Sequence, residues 1–86
     1  MGRANQYRIE IKNRRRKAGE SLRSHHSDIR RLVALAFPDL DHKARELMAC
    51  NYFTDALDEP NLALKVRERL PGDLDSAFRI ALQLEV

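Results

Sequence analysis

The chain has 86 residues, 43% of them hydrophobic and 34% charged, enough for one small core and no second one. Its single cysteine, Cys50, excludes an internal disulfide framework and any cysteine-based zinc finger built from this chain alone. No apolar run approaches the roughly 20 residues of a membrane span, and the amino terminus lacks the apolar centre of a secretory signal, so an intracellular, cytoplasmic setting without a membrane partner is expected.

The opening nineteen residues read two ways. Tyr7, Ile9 and Ile11 alternate as in a strand, whereas Ala4, Tyr7 and Ile11 share one face of a helix; the helix is the favoured reading. The segment is basic. Residues 1–31 carry ten Lys and Arg against Glu10, Glu20 and Asp28, a balance of +7, while residues 32–86 carry six against ten acids, a balance of −4. A basic arm on an acidic body attracts phosphates, and it equally attracts the acidic body of a second copy. The run Arg14, Arg15, Arg16 and Lys17 is the candidate nucleic-acid contact, since basic clusters supply most non-specific affinity. Apart from Tyr7 it lacks interleaved aromatics on which bases stack.

From Leu22 the apolar residues Leu22, Ile29, Leu32, Val33, Ala36 and Phe37 follow the three-and-four spacing of an amphipathic helix, with His25 and His26 in the missing turn. Ser21 is placed to cap it and Pro38 to stop it. A second helix runs through residues 42–57, capped by Asp39 or Asp41. At 100° per residue, Ala49, Cys50, Phe53, Ala56 and Leu57 share its core face. Ala44, Met48 and Tyr52 form a separate apolar flank, which either meets a partner or lies buried under the amino-terminal segment.

"DEPNLALKVRERL" reads as the next helix, with Asp58 as cap, Pro60 in the first turn, and Leu62, Val66 and Leu70 facing inward. Pro71-Gly72 ends it. Asp73 then caps a last helix whose Leu74, Ala77, Phe78, Ala81 and Leu82 form the buried stripe, leaving Ile80 and Leu84 as apolar excess. The expected fold is therefore an all-α bundle of four to five helices with short loops. No constellation of nucleophile, base and orienting partner is legible. Adjacent His25 and His26 diverge on one helix, and Gly19-Glu20 lacks the repeated glycines of a phosphate cradle. No enzyme activity, cofactor, metal site or small-molecule substrate is expected.

The ordered set "NRRRKAGESL", "DIRRLVALAFPDL", "FTDALDEPNLALKVRERLP" and "DLDSAFRIALQLE" resembles the carboxy-terminal lobe of the capsid region of Gag polyproteins from gypsy-type long-terminal-repeat retrotransposons, over residues 7–86. The resemblance implies a small bundle of the retroviral capsid C-terminal type that homodimerises and joins a shell around RNA. It divides the chain into a basic entry segment, 1–19, and a helical lobe, 20–86. Glu20 matches the family's glutamate in a buried hydrogen-bond network bracing the turn, with Arg30 or Arg31 as the arginine of that network. The family's glutamine-glycine pair is replaced around Arg16 and Lys17, and Ile29 stands where an aromatic is usual. By the same resemblance the two-fold contact falls on Ala44, Arg45, Met48, Asn51, Tyr52 and Asp55. RNA contact is then weak or indirect, because the basic run braces the turn or meets acidic neighbours. The rival readings are a dimerisation domain like the SCAN domain of transcription regulators, and a small basic nucleic-acid binder.

Overall fold

A computed structural model describes residues 3–85 and shows five α-helices and, among those residues, no strand. They are α1 (Arg3–Asn13), α2 (Leu22–Ala36), α3 (His42–Asp55), α4 (Pro60–Glu68) and α5 (Leu74–Leu84). Each of the last four begins at a side chain that satisfies a free backbone amide, as helix starts require. Ser21 accepts from the Ser24 N–H at 3.0 Å, Asp41 from Ala44 at 2.8 Å, and Asp73 from Ser76 at 2.8 Å. Glu59, not Asp58, caps α4, accepting from Asn61 at 2.7 Å. With Pro60 as the first helical residue, the cap falls to its immediate neighbour.

The helical reading of the opening segment holds: Ile11 is buried and Tyr7 half-buried against the core. α1 runs antiparallel to α2, with Arg8 near Ala36 at one end and Arg14 near Asp28 at the other. Arg8 Nε donates to the Ala36 carbonyl at 2.8 Å and its guanidinium covers the Phe37 ring. A cation thereby occupies the carbonyl-rich end of α2, where the helix dipole favours positive charge.

The core is one cluster shared by all five helices. It centres on Ile29, Leu32, Val33, Phe53, Val66, Leu74 and Ala81, and Ile11 belongs to it, so residues 1–19 and 20–86 do not have separate cores. Two inward assignments need correction. Leu70 is 84% exposed, because α4 ends at Glu68 and the chain turns before Leu70 can rejoin the stripe. Leu82 is 42% exposed, at the edge of the α5 stripe.

Candidate self-association surface and the braced turn

Between α1 and α2 the chain leaves regular structure, and alternate residues of the basic run face inward. The side chains of Arg14 and Arg16 are only 8% and 12% exposed, whereas Arg15 and Lys17 are exposed. Arg14 sits between two carboxylates: its Nη2 lies 2.7 Å from Glu20 Oε2 and its Nε 2.7 Å from Asp28 Oδ2. Glu20 also accepts from the Lys17 backbone N–H at 3.0 Å and from the Ser24 hydroxyl at 3.1 Å. Arg16 Nε donates to the Glu20 carbonyl at 2.8 Å, its backbone N–H to the Ala56 carbonyl at 2.8 Å, and its guanidinium pairs with Glu85. The turn is thus tied to the ends of α3 and α5. Gly19 reverses the chain at φ 80°, a left-handed conformation that suits glycine.

This wiring shifts the charges as geometry demands. Burial alone would raise the Glu20 carboxyl, but donors from Arg14, Lys17 and Ser24 outweigh it and hold the group at about 2. Burial likewise opposes ionisation of Asp28, yet Arg14 and Arg31 bring its carboxyl below the ordinary value. Burial works against the Arg14 charge too, and the two carboxylates overcome it.

Glu20 is therefore at the centre of the turn network, but its arginine is Arg14 rather than Arg30 or Arg31. Arg31 joins at one remove, through Asp28 at 2.9 Å. Arg30 lies elsewhere, pairing with Asp75 at 2.9 Å and Glu46 at 3.3 Å to tie α2 to α5 and α3. Of the four candidate nucleic-acid residues, Arg14 and Arg16 are held in internal ion pairs, whereas Arg15 and Lys17 form none among the described residues.

The α3 flank divides. Tyr52 is half-buried, its ring stacked at 6.3 Å from Phe37 and beside Ile11 and Lys12 of α1. Arg45 donates to the carbonyls of Pro38 at 3.1 Å and Leu40 at 3.0 Å, closing the α2–α3 loop. These two serve the monomer. Ala44 and Met48 are half-buried, while Asn51 and Asp55 are exposed. Leu47, which the sequence reading passed over, is 52% exposed on this side of α3. Its position between the core stripe and the Met48 flank was the readable sign.

No family model matches the chain, nor does any curated protein or solved structure.

The histidines and the cysteine do not meet. His25 is fully buried, with Nε2 3.1 Å from the Phe53 carbonyl and Nδ1 without a partner. His26 bonds Asp75 at 2.9 Å, and Cys50 is buried beside the Pro71 carbonyl. Among the described residues no three of His, Cys, Asp and Glu gather as a metal site, and no helix is long and apolar enough to cross a membrane.

Proposed function

We propose that this chain is a non-catalytic assembly module, a self-associating lobe of the kind found in the capsid region of gypsy-type retrotransposon Gag proteins. The observation that carries the reading is the braced turn. A glutamate with a carboxyl at about 2, fed by a buried arginine and two further donors, holds the entry to α2 where the resemblance calls for such a brace. Each oxygen of Glu20 accepts a hydrogen bond from within the turn or from α2, as a bracing carboxylate does.

Self-association is supported by the outward side of α3, where Leu47 and Asn51 are exposed beside half-buried Met48. One apolar patch serves both sides of a two-fold contact, and a weak contact suffices where a shell multiplies it. The basic run stabilises the turn, and any RNA contact falls to Arg15 and Lys17. Light-scattering mass across a concentration series tests the reading: a monomer–dimer equilibrium is expected, and a monomer at every concentration refutes it.

A further inference from the structure

The basic segment carries few aromatics of its own, and folding brings it one from α3. A groove of about 450 Å³ lies between α1 and α3, lined by Ile11, Lys12, Arg14, Arg15, Tyr52 and Asp55. Of its three cations, Arg14 is taken up by Glu20 and Asp28. Lys12 and Arg15 are exposed and enter no ion pair among the described residues. Arg15 Nη1 donates to the Arg14 carbonyl at 2.8 Å, which fixes its guanidinium at the end of α1 without neutralising it. The one carboxylate of the groove, Asp55, is paired with Arg67. The uncompensated charge is therefore positive.

The aromatic side extends past the groove. The Tyr52 ring lies 6.3 Å from that of Phe37, nearly parallel at 19°, and the Arg8 guanidinium stands 5.1 Å from the Phe37 centroid. Arg8 and Lys12 are one turn apart on α1, separated by a rise of roughly 6 Å. Cations and rings thus share one strip of surface, although they come from three separate parts of the chain. Cations that follow a phosphate backbone beside a ring on which a base stacks are the combination that holds single-stranded nucleic acid. A duplex keeps its bases stacked inside and offers Tyr52 nothing, and an acidic peptide engages the cations but not the ring.

We infer that the α1–α3 groove binds a short stretch of single-stranded nucleic acid, with Lys12 and Arg15 on the phosphates and a base against Tyr52. This activity goes beyond self-association and does not depend on it.

Fluorescence anisotropy of labelled oligouridylate and oligothymidylate, titrated at low salt with the full chain, tests the inference. Binding of both shows that the sugar is not read, and binding of oligouridylate alone makes RNA the ligand; either result supports the site. Lys12→Gln/Arg15→Gln weakens binding by about tenfold or more and lowers the salt slope by about one and a half. Lys43→Gln/Lys65→Gln removes the same charge from exposed positions of α3 and α4 and leaves the affinity nearly unchanged. Tyr52→Leu weakens binding by about fivefold or more with helical circular dichroism retained. The chain has no tryptophan and two tyrosines, so in Tyr7→Phe the emission reports Tyr52 alone, and it is quenched by the oligonucleotide but not by an oligoglutamate peptide. That readout decides the stacking even where Tyr52→Leu fails to fold. No binding at low salt, equal losses in the two double variants, or binding without quenching overturns the inference. Oligoglutamate bound as tightly as the oligonucleotide makes the groove an acidic-peptide surface and also overturns it.

Discussion

Arg14 Nη2 lies 2.7 Å from Glu20 Oε2, with both side chains about nine-tenths out of water, and the same guanidinium reaches Asp28 through Nε. Deleting one member of such a set leaves the others desolvated and unpaired. Arg14→Ala is therefore expected to cost on the order of 3 kcal/mol, while Arg15→Ala, one residue along on the exposed side, changes stability by less than about 0.5 kcal/mol. Urea denaturation of the two variants measures the contrast. Equal effects would mean that the run acts as a diffuse charge and not through Arg14.

Acid should loosen the fold in two stages. Burial lowers the His25 pKa despite the Phe53 carbonyl, with Arg14 and Arg16 opposing its charge and Glu20 favouring it. Because the unfolded state takes up this proton first, stability is full above the ordinary value of about 6.5 and declines as pH falls below it. Glu20 acts the other way round in charge: its contribution is present above the ordinary carboxylate value and is lost as pH falls toward about 2. With part of its environment wet, that contribution is on the order of 2 kcal/mol. Melting temperature against pH should fall in both windows. His25→Leu should flatten the upper one and Glu20→Gln the lower; a profile unchanged by either variant contradicts these assignments.

Much of the fold was legible because local rules decided it. Ser21, Asp41 and Asp73 cap helices as their positions indicate, and the stripes of α2 and α3 pack inward on the expected faces. Local rules fail where a residue's partner is distant in the chain. Arg14 and Asp28 are fourteen residues apart across an antiparallel pair, so no local rule joins them, and the family resemblance implied Arg30 or Arg31 instead. Leu70 continues the α4 stripe in sequence, but the helix stops two residues earlier, and periodicity carries no information past a helix end. Tyr52 shares a flank with Met48 on a bare helix, yet Tyr52 stacks near Phe37 and lies beside α1. Those neighbours are present only once α1 is docked.

Gly19 and Gly72 separate backbone from packing. Neither has an atom within 4 Å of an added Cβ, but only Gly19 has a positive φ. Gly19→Ala should destabilise by about 1 kcal/mol, with Gly72→Ala near neutral by the same urea assay. A costly Gly72→Ala would show that bulk, not conformation, limits these turns.

Cys50 should be slow to react. Burial first, then Asp73 and Glu46, raise its thiol pKa, and the side chain is enclosed. Labelling by an aromatic disulfide at neutral pH is expected to follow opening of the fold, so the rate should rise steeply in urea. Rapid labelling of the native chain would mean that the α3–Pro71 corner opens freely.

In the proposed assembly the outward side of α3 joins two copies of this chain, and Met48→Asp probes that contact. An unpaired carboxylate in an apolar contact costs several kcal/mol across two copies, and because Met48 is half-buried within one copy as well, the fold of the variant is checked alongside its mass. Light-scattering mass across a concentration series should give a dimer for the parent chain and a folded monomer, with unchanged helical circular dichroism, for the variant. A variant that dimerises as tightly as the parent would contradict the account.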